Sequence, residues 1–198
     1  QAPDAGHLLA ASDFPVGYDV FPATARVGKQ QLRAVDGRIY EPAECAEMFR
    51  SQAEFTIQSQ RSGVVAVNKG QSSFPKYSDT VIRNAEPIAH RREVLNACGN
   101  NTATIPGQGT MTMTSAIVDA PADLVADDAL VFSFSTTFQP EPDSTALRSK
   151  QQTVIGYADL PGLQVEFYQE VDGFNGRLDT ARFDDLFVKA VNRASIRQ

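Results

Sequence analysis

Tryptophan is absent from this chain, and cysteine and histidine occur only twice each. These scarcities exclude several kinds of chemistry. The two cysteines, Cys45 and Cys98, have no C-x-x-C spacing, so they do not form a zinc or thioredoxin-like site. The two histidines, His7 and His90, stand in no metal-ligand spacing and beside no nucleophile in sequence. No apolar run is long enough to span a bilayer. No charged segment followed by an apolar stretch marks a signal peptide. Glycine-rich phosphate loops are missing as well. Basic residues are in deficit, with 18 Lys and Arg against 24 Asp and Glu and a formal net charge of -6. Phosphate binding needs a basic face, so nucleic acid is excluded as the main partner. No catalytic residue, metal ligand or cofactor is assigned on this basis, and an enzyme is not expected.

What is present is an ordinary core. The chain has 198 residues, 42% of them hydrophobic. That is enough for one domain over residues 1–198. The stretch Glu41-Pro42-Ala43-Glu44-Cys45-Ala46-Glu47-Met48-Phe49-Arg50 reads as a helix start, with Pro42 at the first helical position. Cys45, Met48 and Phe49 share one face by their spacing. Cys98 ends a second helical stretch that carries Ile88 and Leu95 on the same face, and Gly99 follows. Two unrelated buried thiols would satisfy this pattern. A bridge that pins the two helices together satisfies it better and is the expectation. It would stabilise the fold by about 4 kcal/mol through loop closure and implies an oxidising compartment.

In chain order, residues 4–11 read as a short helix capped by Asp4, with Leu8, Leu9 and Ala10 inward. Residues 18–22 and 38–40 read as extended, and weak helical spacing runs over 24–35. Phe55 and Ile57 alternate with polar residues, so a hairpin is expected over 54–67, turning at Gln60–Gly63. Ser78 or Asp79 is expected to cap a helix ahead of Val81 and Ile82. Arg91-Arg92 beside His90 reads as a solvated helix face. Strands are expected over 110–118, 129–138, 153–157 and 163–167. Residues 139–151 read as a long exposed connection, and Asp172–Gly176 as a tight turn, not a calcium loop. A last helix carries Phe183, Leu186, Phe187, Ala190 and Val191, capped by Asp179 or Thr180. Short connections make neighbouring strands antiparallel. The expected fold class is α+β: a single antiparallel sheet of about six strands with helices packed on one face.

The apolar stripe Phe132, Phe134 and Phe138, with Met111 and Met113 on a candidate neighbouring strand, is most simply core. The same residues are the candidate wall of an apolar cavity, should the protein hold a lipid.

Several short motifs occur together: Leu8-Leu9, then Asp13-Phe14-Pro15-Val16-Gly17-Tyr18, Glu41-Pro42-Ala43-Glu44-Cys45-Ala46, Glu93-Val94-Leu95-Asn96-Ala97-Cys98 and Gly156-Tyr157-Ala158-Asp159-Leu160-Pro161-Gly162-Leu163-Gln164-Val165. In this order the chain resembles the sensor-domain-like secreted proteins and lipoproteins of mycobacteria, corynebacteria and their relatives. That group is similar to the extracellular sensor domain of the Ser/Thr kinase PknH. The resemblance covers most of the chain, with Pro42, Cys45 and Cys98 as the positions that carry over. It implies an extracytoplasmic location in the cell envelope, a cleft and a non-catalytic sensor or ligand-binding role. The expected partner is a small molecule, a lipid or another envelope component. Carriage of a lipid or other apolar molecule in an internal cavity is the alternative. The flexible start Gln1-Ala2-Pro3-Asp4-Ala5-Gly6 reads as a mature N-terminus. Membrane contact is expected only through a lipid-modified cysteine upstream of Gln1.

Overall fold

The computed structural model describes residues 5–23, 27–71 and 73–196. Nine strands form one antiparallel sheet in the order β1-β3-β4-β9-β8-β7-β6-β5-β2. They are β1 Tyr18–Ala23, β2 Ile39–Glu41, β3 Gln60–Asn68, β4 Lys76–Arg83, β5 Asn101–Ile105, β6 Gly109–Val118, β7 Asp128–Pro140, β8 Ser149–Leu160 and β9 Leu163–Asp172. Four helices accompany them: α1 Val27–Asp36, α2 Cys45–Gln58, α3 Ile88–Cys98 and α4 Thr180–Ser195. The strands β5 to β9 form a sequential meander, and β9 returns beside β4.

The fold class is α+β as expected, but the sheet has nine strands rather than about six. The strand expected around Phe55 and Ile57 is the end of α2. A short apolar alternation fits either period. Here the helical period continues through Phe49, Gln52, Ala53 and Thr56, which all face the sheet. Ile57 instead packs against α1 at Gly28, where a Cβ would stand 2.7 Å from its Cγ1. Residues 76–83 form a strand instead of a capped helix. Tyr77, Asp79 and Val81 point one way and Ser78, Thr80 and Ile82 the other, and all six are buried. β5 follows α3 after two residues and was not expected. β1 and β2, expected only as extended chain, are paired edge strands.

Other boundaries also shift. The expected N-terminal helix is two three-residue 3-10 turns, Ala5–His7 and Ala11–Asp13. Leu8 and Leu9 between them are buried, Ala10 is exposed, and Asp4 lies outside the described residues. Pro42 does not open α2. It sits in the preceding turn, after a cis peptide from Glu41, and the Cys45 amide donates to its carbonyl at 3.2 Å. The connection after β7 is shorter than expected, because β7 runs to Pro140 and β8 starts at Ser149. Asp179 caps α4 as read, its side chain accepting from the Arg182 amide at 3.0 Å.

Helices cover both faces of the sheet, not one. On β8, Val154 and Ala158 belong to the cluster that α4 completes with Phe183, Leu186, Phe187 and Ala190. Gly156 lies on the same face because a Cβ there would meet the Phe187 ring at 2.5 Å. Ile155 and Tyr157 belong to a second cluster with Ile88 of α3 and Leu130. A third cluster joins Cys45 and Phe49 of α2 to Val94 and Cys98 of α3. The Cys45–Cys98 disulfide is present, its partners 53 positions apart in the sequence, and ties α2 to α3.

Candidate functional site: a cleft between the helices and the sheet

The face of the sheet opposite α4 is incompletely filled. A cleft of about 790 Å³ lies between it and the helices α1 and α2, within the range of small-molecule sites. The antiparallel registers align the residues of this face in rows, and all of those named except Lys76, Leu130 and Phe132 line the cleft. One row runs Gly63, Thr80, Glu166, Tyr157 and Leu130 across β3, β4, β9, β8 and β7. A neighbouring row runs Val65, Ser78, Tyr168, Ile155 and Phe132, and a third Lys76, Glu170, Thr153 and Phe134. Further along, Thr136, Met113 and Asn101 continue the surface onto β6 and β5. The β4–β9 side of the floor is polar, and the β5–β7 side is mostly apolar, with Ala103, Met111, Met113 and Phe134 around the polar Asn101 and Thr136.

The polar side carries buried charge. Arg61 and Glu166 pair at 2.6 Å, both side chains 15% exposed or less. Burial opposes the Arg61 charge, but Glu166 outweighs it and the net shift of the guanidinium is upward. Lys76 pairs with Glu170 at 2.6 Å. At the α3 end, Glu86 is almost fully buried. It receives Arg91 at 2.8 Å, His90 at 2.6 Å and the Gln52 amide at 3.0 Å. Arg91 also donates to Gln164 at 3.1 Å and stacks on Tyr157, 3.8 Å from the ring centroid. Burial pushes the Tyr157 phenol upward, so it stays a neutral hydroxyl. A charge left in such surroundings without a partner is strongly destabilising, so this network must stay intact.

Of the wall residues read from the sequence, Met111, Met113 and Phe134 line the cleft. Phe132 instead lines a separate hollow of about 70 Å³ with Cys98 and Leu95. Phe138 lines neither and packs over the backbone at Gly109. The basic cluster at 90–92 is not a solvated face. Arg91 turns inward, His90 bonds Glu86, and only Arg92 stays outside, paired with Asp128 at 3.1 Å. His7 binds the Ala194 carbonyl at 3.0 Å, so neither histidine is paired with a hydroxyl or thiol. Among the described residues no group of His, Cys, Asp and Glu is placed to hold a metal ion. Arg61, Glu86 and Glu166 were missed as site residues. The signal available was Gln164, Glu166, Tyr168 and Glu170 alternating with Val165 and Phe167. With helices expected on one face only, this alternation gives no reason to place the polar residues in a covered cleft.

No family model and no curated protein matches the sequence. Solved structures do match. An uncharacterised protein of Mycobacterium smegmatis, the Rv0999 ortholog, superposes with a TM-score of 0.53 over 92% of each chain. The two share a fold. Their sequence identity is 15%, so the likeness extends to the fold alone. The extracellular domain of PknH from Mycobacterium tuberculosis superposes over 95% of this chain and 92% of its own. Its TM-score is 0.49 at 10% identity, too low to carry an argument. Both neighbours are mycobacterial proteins.

Proposed function

We propose that this chain is a non-catalytic, extracytoplasmic ligand-binding domain of the sensor-like kind, and that its cleft is the binding site. The observation that carries the reading is the cleft itself. A volume of about 790 Å³ is held open over a floor of fixed polar groups. Cavities of that size are otherwise filled by side chains, because empty space forfeits packing. The Cys45–Cys98 bridge supports an oxidising compartment. The sequence motifs support an envelope protein. Carriage of a purely apolar molecule requires a continuous apolar cavity, and the Arg61–Glu166 side of the cleft weighs against it.

Native mass spectrometry of protein taken from its own envelope tests the proposal. A small molecule retained by the parent and lost in a cleft-filling Met113→Trp variant is the expected result. A parent without any retained molecule, or a variant that retains it equally, would count against the cleft.

A further inference from the structure

If the cleft is a binding site, as proposed above, its two-sided floor restricts what it accepts. On the β4–β9 side, Arg61 is matched by Glu166 at 2.6 Å and Lys76 by Glu170 at 2.6 Å. Arg91 is matched by Glu86 at 2.8 Å. A ligand with a net charge would meet a cation and an anion together, and would be desolvated without a partner of its own. A hydroxyl group suits such a surface. It donates to a carboxylate and accepts from a guanidinium, and it brings no charge. Two buried polar atoms on this face have no hydrogen-bond partner among the described residues, Arg91 Nε and Thr153 Oγ1. Thr153 is 3% exposed and stands between Glu170 and Phe134, where the polar side meets the apolar one. Beyond it the floor is Phe134, Met113 and Met111, and Ala103 follows on β5.

We infer that the cleft takes a neutral ligand with a hydroxyl-rich head and an apolar substituent. The head lies over Glu166 and Arg61, and the substituent over Met113 and Phe134. Arg38 is the cleft cation with no ion-pair partner among the described residues, but it is half-exposed and open to water. Were it the governing group, an anionic head would be preferred.

Titration of the full chain, followed by NMR of the methionine methyls and the Thr153 amide, tests this. The probes are octyl glucoside, glucose, octyl sulfate and octyltrimethylammonium, each below its micelle concentration. Octyl glucoside should bind at least about tenfold more tightly than glucose, and more tightly than either charged amphiphile. It should shift Met111 and Met113. Glu166→Gln leaves Arg61 uncompensated and should raise the affinity for octyl sulfate relative to octyl glucoside by about tenfold. Glu170→Gln, which frees the more exposed Lys76, should move the ratio in the same direction should the first variant not fold. Preference of the parent for a charged amphiphile, or equal binding of glucose and octyl glucoside, would overturn the ligand class while leaving the cleft a binding site. No shift at the cleft with any probe would overturn both readings.

Discussion

The two faces of the sheet are built from alternate residues of the same strands, yet one is solid and the other hollow. Under α4, Phe167 stacks on Phe187 with ring centroids 6.4 Å apart, and Phe183 stands 5.6 Å from each. Gly156 leaves room for the Phe187 ring. One residue further along β8, Ile155 and Tyr157 face a space that α1 and α2 roof but do not enter. The difference is one of residue type at alternating positions. β9 supplies Val165 and Phe167 to the solid face and Glu166, Tyr168 and Glu170 to the hollow one. Close packing needs apolar shapes that interdigitate. A wall of paired ions and hydroxyls resists being filled by a helix. One face therefore provides stability and the other keeps space.

Truncating an aromatic on each face should separate these roles most clearly. Phe187→Ala removes a fully buried ring and should cost about 4 kcal/mol in chemical denaturation. Phe134→Ala, half-buried at the cleft, should cost no more than about 1.5 kcal/mol. Equal costs would erase the distinction between the faces.

The hollow face has its own clamp. Replacing both Cys45 and Cys98 by Ala should cost about 4 kcal/mol through the lost loop constraint. Hydrogen exchange should then speed up in α2 and α3 while α4 stays protected. Faster exchange in α4 alone would break the comparison.

A third effect concerns a charge on the wrong face. Asp79 lies in the apolar layer, with Oδ2 accepting from the Leu9 amide at 2.7 Å and Oδ1 without a partner among the described residues. Arg193 of α4 lies near enough to stabilise the charge, but it pairs with Asp13 at 2.8 Å, which opposes it. Burial outweighs these and pushes Asp79 up to about 7. The folded protein then holds a proton that the unfolded chain releases near pH 4, so this group lowers stability as pH rises from about 4 to about 7. Asp79→Asn should flatten that slope and should be more stable than the parent at about pH 8. An unchanged slope in melting temperature against pH would show that the charge is accommodated.

Much of this was legible in the sequence. The disulfide followed from two cysteines on inward helix faces, and the meander from β6 to β9 followed from clean alternation. α4 followed from spacing and from a cap read as Asp179 or Thr180, of which Asp179 is the one used. β4 was hidden because a strand buried on both faces loses its period. Its Ser78 and Asp79 also look like helix caps when read locally. The cleft was hidden for a related reason. A polar residue on a strand signals water unless something covers that side, and only the tertiary arrangement of α1 to α3 reveals the cover. Phe132 and Phe138 share the strand parity of Phe134, yet their places along β7 put them beyond the cleft.

The position of β9 has a consequence for how the chain reaches this state. Strands β5 to β9 can zip as successive hairpins, each closing a short loop. The pairing of β4 with β9 joins Ile82 to Gln164, residues far apart in the sequence. Contacts of such separation carry a large closure entropy and form late. Thr80 and Glu166, opposite one another across that join, belong to the polar side of the cleft. The polar side of the cleft is therefore expected to take shape only when this late seam closes.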